Sequence, residues 1–130
     1  MDEATRQARL ALLRDFGKAF NRADAEGIAA CVSADFEWRL AVGPEAPDGR
    51  IVRGREAVAA VLAERAREIE EVRFSETEVM FADDHVVGRF RATGRYIDGR
   101  RLDVRGVDVY SFDEDGRIAV KDSYWKRIEG

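Results

Sequence analysis

Hydrophobic positions in the first third of the chain fall at helical spacing, and those in the remainder alternate. Leu10, Leu12, Leu13, Phe16, Ala19 and Phe20 share one face, which predicts an amphipathic helix from a cap at Asp2 to about Ala23. Asp24 can accept from the first backbone N–H groups of a short second helix, from Ala25 to about Val32. The period then becomes two: Phe36, Trp38, Leu40 and Val42 alternate with Glu37, Arg39 and Ala41, the pattern of a half-buried strand over Asp35 to Val42. Gly43 to Gly49 holds both prolines, Pro44 and Pro47, and is expected to be an irregular loop. A third helix opens at Gly54 and runs to about Glu70, with Ala57, Val58, Val61, Leu62, Ala66 and Ile69 inward. Four β-rich segments follow: Val72 to Phe81, His85 to Ile97, Arg100 to Phe112, and Arg117 to about Ile128. The short polar connections Ala82-Asp83-Asp84, Asp98-Gly99 and Asp113-Glu114-Asp115-Gly116 make these an antiparallel meander. The expected fold is α+β, a strongly curved antiparallel sheet, cone or half-barrel, packed on three N-terminal helices in a single domain of 130 residues.

Turn length sets register, and register decides which side chains share a face. A two-residue turn at Asp98-Gly99 places Ile97 opposite Arg100, and therefore Arg89 opposite Asp108. A four-residue loop over residues 113 to 116 places Lys121 opposite Asp108 from the other side. On its own strand Asp108 stands in the stripe Leu102, Val104, Gly106, Asp108, Tyr110, Phe112, apolar except at its centre. The neighbouring strand adds Ala119, Lys121, Ser123 and Trp125 to that face. A carboxylate in such a stripe is either a paired structural charge or a working acid or base. The opposite face collects Phe90, Val107, Val109, Ile118 and Val120, an apolar surface suited to a homodimer through the outer sheet face.

Composition narrows the chemistry. Hydrophobic residues make up 45% and charged residues 37%, and no run approaches the roughly 18 apolar residues of a membrane span. Acids and bases are interspersed at a net charge of −4, so neither nucleic acid nor membrane is expected as a partner. Residues 1 to 6 mix charges with no basic segment ahead of an apolar one, so a cytoplasmic location is expected. Cys31 and His85 are the single cysteine and single histidine, which rules out an internal disulfide and a Cys/His zinc site. No metal or other cofactor is expected. Cys31 reads as a small buried hydrophobe and His85 as an exposed turn residue.

The segments "NRADAEGIAACVSADFEW", "VRGREAV", "VDVYSF" and "DGRIAVKDSYW", in this order of elements, resemble the nuclear transport factor 2-like superfamily, especially its SnoaL-like and ketosteroid-isomerase-like branches. The resemblance implies a cone whose mouth admits a hydrophobic ligand, often in a dimer formed through the outer sheet face. It also allows a comparison of sites. Where ketosteroid isomerases carry a tyrosine, an aspartic acid and a proton-moving aspartate, this chain has Phe16, Asp108 and Leu40, so steroid isomerisation by that mechanism is not expected. Where limonene-epoxide-hydrolase-like members carry an arginine and two aspartates, it has Arg89, Arg91 and Ser123. SnoaL-type cyclases place an acid or base near Ser123. The expected catalytic pair is Asp108 and Lys121, with Phe16, Trp38, Leu40, Arg89, Tyr110, Ser123 and Trp125 binding a small hydrophobic molecule that carries a polar oxygen. Any isomerase, cyclase, dehydratase or hydrolase step would need no cofactor. The alternative is a non-catalytic ligand-binding or dimerisation module.

Overall fold

A computed structural model describes residues 1–129. Three helices, α1 (Glu3–Asn21), α2 (Ala25–Cys31) and α3 (Arg55–Glu68), lie against a six-stranded sheet. Its strands are β1 (Val32–Glu45), β2 (Gly49–Arg53), β3 (Ile69–Phe81), β4 (Val86–Tyr96), β5 (Arg101–Phe112) and β6 (Ile118–Trp125). The helix caps are those the sequence predicts. Asp2 accepts from the Thr5 N–H at 2.7 Å, and Asp24 from the Gly27 N–H at 3.1 Å, each satisfying a backbone donor that a helix start leaves open. On α3 the inward face is Val58, Val61 and Leu62, whereas Ala57 and Ala66 are exposed, a rotation of the expected face that brings Arg65 inward.

The strand order is β2-β1-β6-β5-β4-β3, open between β2 and β3. The sheet is mixed, which corrects the expectation of an antiparallel one: β1 runs parallel to β6, with Trp38 beside Lys121. Both strands start from the same end of the sheet, where Val32 meets Ile118, because α2 delivers the chain there and the β5–β6 turn does the same. The segment after the prolines adds a strand that the sequence pattern does not reveal, β2, which folds back on β1 through Trp38↔Val52.

The β4–β5 and β5–β6 hairpins each use a three-residue loop. The Tyr96 N–H bonds the Arg100 carbonyl and the Asp113 N–H the Arg117 carbonyl. Gly99 and Gly116 close the two loops at φ of 94° and 79°, left-handed values that disfavour a residue with a Cβ. The β4–β5 register is therefore one residue away from expectation: Asp108 faces Gly88, and Arg89 faces Val107. A one-residue slip turns a side chain to the other face. Arg89 consequently points outward to an ion pair with Glu78, and Phe90 points inward and is buried. In β6 an extra residue, Ala119, sits between the pairs Phe112↔Ile118 and Ser111↔Val120. This bulge switches parity, so Ile118 is inward, and so are Lys121 and Ser123 beyond it. Phe90 and Ile118 thus belong to the core and not to the outer face.

The core joins Phe16 and Phe20 of α1, Val58 and Leu62 of α3, and Phe36, Trp38, Val86 and Tyr110 of the sheet. Outside, the sheet carries ion pairs: Arg91 grips Asp103 with two contacts of 2.8 Å, and Glu76 accepts from Arg91 and Arg105. Among the described residues no helix is long and apolar enough to cross a membrane.

Candidate functional site

Even-numbered residues of β5 face the helices, which carries Asp108 and Tyr110 into the core. The bulge in β6 brings Lys121 and Ser123 to the same place. Asp108 and Lys121 are each 5% exposed. Lys121 Nζ donates to Asp108 Oδ1 at 3.1 Å and to Ser123 Oγ at 3.0 Å. Ser123 Oγ donates to Asp108 Oδ1 at 2.6 Å, and the Tyr110 hydroxyl to Asp108 Oδ2 at 3.2 Å. Asp108 is thus an acceptor for three side-chain donors, the role of an ionised carboxylate. Tyr110 Oη is its single donor at Oδ2, which leaves that oxygen able to accept from a ligand.

Burial pushes the Lys121 ammonium below its ordinary range; Asp108 opposes this and Arg65 adds to it. Burial, reinforced by Asp108, holds the Tyr110 phenol well above its usual value. Lys121 Nζ also lies 4.6 Å from the Phe20 ring centre, where the π face replaces part of its lost hydration. The sequence reading missed Arg65. Its guanidinium stacks over Phe20 at 5.1 Å, Phe74 at 5.6 Å and Trp38 at 5.8 Å. Burial lowers its pKa, opposed by Asp108. The signal was present: Arg65 follows Val61 by four residues and Leu62 by three, a charge on the apolar stripe of its helix.

Two cavities meet at this network. The larger, 590 Å³, lies between α1 and strands β3 to β5; Leu13, Phe16, Gly17, Val79 and Phe90 line it together with the polar Arg14, Lys18, Asn21 and Thr77, and Asp108, Tyr110 and Lys121 of the buried network border it. The smaller, 250 Å³, is bounded by Trp38, Leu40, Arg65, Tyr96, Ser123 and Trp125. Lys121 and Phe74 border both. The expected ligand residues are therefore divided: Phe16 and Tyr110 line one space, Trp38, Leu40, Ser123 and Trp125 the other. Arg89 belongs to neither, being exposed on the outer face, so its expected role in ligand binding is withdrawn. Arg91, held by Asp103 outside, also lies away from both cavities. Burial raises the Cys31 thiol, consistent with a packing role, and His85 sits half-buried beside Asp84. Among the described residues no group of three or more His, Cys, Asp or Glu side chains is arranged to hold a metal ion.

The chain belongs to the SnoaL-like domain family, whose model matches residues 13–121, within the nuclear transport factor 2-like superfamily. Solved structures agree on the fold. A proposed polyketide cyclase from Xanthomonas campestris pv. campestris superposes with a TM-score of 0.80 at 20% identity, covering 94% of this chain and 93% of that one. A nuclear transport factor 2-like protein from Burkholderia xenovorans LB400 gives 0.76 at 25% identity over 92% and 90%. A proposed isomerase from Bacillus subtilis gives 0.76 at 20% over 97% and 90%. No curated protein matches the chain.

Proposed function

We propose that this protein binds a small, largely apolar molecule in the 590 Å³ cavity and carries out a cofactor-free proton transfer on it, with Asp108 as the acid/base. The observation that carries this reading is the cavity itself: largely apolar walls, with Arg14, Lys18, Asn21 and Thr77 also on them, that reach the buried polar cluster of Asp108, Tyr110 and Lys121. In such a site Asp108 Oδ2 accepts a proton from a carbon next to a ligand carbonyl. Lys121, over Phe20 and beside Asp108, offsets the negative charge that develops. Isomerisation, cyclisation and dehydration can all begin with this step. The proposed cyclase and isomerase among the structural neighbours give the reading context.

A second reading rests on a different observation: Asp108, Lys121, Ser123 and Tyr110 already satisfy one another. On that reading the cluster is structural and the cavity binds without chemistry. Two measurements separate the readings. The neutral dye N-phenyl-1-naphthylamine should bind and brighten, and Gly17→Leu should abolish this, because a side chain at Gly17 enters a space with no heavy atom within 4 Å of its Cβ. The wild type should also catalyse deuterium exchange at C2 of 1-tetralone, with a rate at least 100-fold lower in Asp108→Asn. Dye binding without exchange selects the second reading, and no dye binding refutes both.

The assembly is proposed to be a homodimer through the outer face of β4, β5 and β6. Val87, Val107, Val109 and Val120 form a half-buried apolar strip there. Phe90 and Ile118 are absent from it, so the contact is smaller and more polar at its margins than the sequence pattern implies.

A further inference from the structure

The interior holds more positive than negative charge. Arg65 and Lys121 face the same aromatic rings, Phe20 and Trp38, while Asp108 is the buried carboxylate beside them. Lys121 is taken up by Asp108 and Ser123. Arg65, half-buried with its head over three rings, has no hydrogen-bond or ion-pair partner among the described residues. The acids of its own helix that line the same cavity do not bond it: Glu64 pairs with Arg50 at 3.4 Å, and Glu68 is exposed and forms no ion pair with it. On the same wall the indole N–H of Trp38 is buried without an acceptor. A buried donor without an acceptor is costly to keep, and beside it a half-buried cation with no protein partner is open to one supplied from outside.

We propose that the 250 Å³ cavity is a carboxylate subsite, in which Arg65 holds the acid group of an apolar monocarboxylic acid. A monoanion suits it: Asp108 takes up Lys121, and Arg50 takes up Glu64, so Arg65 is the cation of this cavity left without a bonded carboxylate. The guanidinium fork presents two parallel N–H groups at the spacing of a carboxylate, which a lysine cannot do. Walls of Trp38, Leu40, Tyr96 and Trp125 suit an apolar or aromatic body next to the acid group. The subsite rests on the pocket reading above and names the class of molecule bound, since Lys121 and Phe74 border both cavities.

The two tryptophans of the chain, Trp38 and Trp125, both line this cavity, so their fluorescence reports its occupancy. The probes are 3-phenylpropanoate and its neutral amide, titrated into wild type, Arg65→Met and Arg65→Lys. In the wild type the acid should bind at least 10-fold more tightly than the amide. Arg65→Met should remove that preference, and its unfolding midpoint should be equal to or above the wild type's, because it deletes a cation that has no partner in the free protein. Arg65→Lys should retain a preference of 2- to 4-fold and decides the matter if the methionine variant does not fold. Equal binding of acid and amide by the wild type, or a preference unchanged in both variants, overturns the subsite. If that occurs while the neutral dye still binds and Gly17→Leu blocks it, the pocket reading stands and only the anion preference falls.

Discussion

Removing the two members of the buried ion pair should have unequal effects, and the inequality follows from the charges around them. Asp108→Asn leaves the buried Lys121 facing the half-buried Arg65 with no carboxylate between them. Lys121→Met leaves Asp108 facing Arg65, with Ser123 and Tyr110 still donating to it. Breaking a buried pair so as to strand a charge costs about 3–5 kcal/mol. An upper bound comes from titration: the stranded lysine can instead lose its proton. From an ordinary pKa of 10.5 to pH 7 this costs about 1.4 kcal/mol per pH unit, or ~5 kcal/mol in all. Asp108→Asn should therefore destabilise by about 3–5 kcal/mol. Lys121→Met loses hydrogen bonds to a charged group but gains an apolar side chain between Phe20 and Trp38, a net cost of about 1–2 kcal/mol. For a chain of this length 3 kcal/mol lowers the midpoint by roughly 10 °C. Urea unfolding followed by circular dichroism measures both variants, and the double variant gives the coupling. A Lys121→Met variant as unstable as Asp108→Asn, or more so, would refute the charge count.

Three further outcomes are expected. Because the folded-state pKa of Lys121 is depressed, the unfolded chain binds more protons between that value and 10.5, so wild-type stability should rise relative to Lys121→Met as pH climbs through this window; a difference that is flat with pH counts against it. Glu37, lowered chiefly by the Arg53 hydrogen bond and also by Arg39, stabilises above its ordinary 4.5 and loses that contribution as pH falls through the folded value. Glu37→Gln should thus cost under about 1 kcal/mol at pH 7 and progressively less as pH falls below 4.5, by denaturant titration. Val109→Arg places a charge opposite Asp122, which a monomer tolerates and a packed interface does not; light scattering should show a dimer for the wild type and a monomer for the variant, and a monomeric wild type rejects the proposed assembly.

The succession of helices and strands was legible because each has its own hydrophobic period, and Asp108 was legible as a charge in an apolar stripe. Register was not. Asp-Gly at 98 and 99 suits a two-residue turn, but Ile97, 67% exposed, joins the loop, and nothing in its chemistry announces this. That single residue sent Arg89 outward. In the next hairpin a one-residue error in the loop and the bulge at Ala119 amount to two, an even shift, so Lys121 remained on the face of Asp108 although it pairs with Tyr110. The parallel β1–β6 pairing was invisible because it joins residues about 80 positions apart and leaves no local pattern. Arg65 is hard to read because Ala57 and Ala66, which are exposed, suggest a different inward face, and small apolar residues mark a helix face weakly.

The parallel seam has a consequence for synthesis on the ribosome. Phe36 and Trp38 emerge early, yet the strand that borders them, with Lys121 and Ser123, follows about 80 residues later. At about 5–20 residues per second the nascent chain must hold that edge uncovered for roughly 4–16 s. During this interval β2 guards one side of β1 and nothing in the sheet guards the other. Conditions that stall translation between these strands should raise aggregation of the newborn chain without any change in the stability of the finished one.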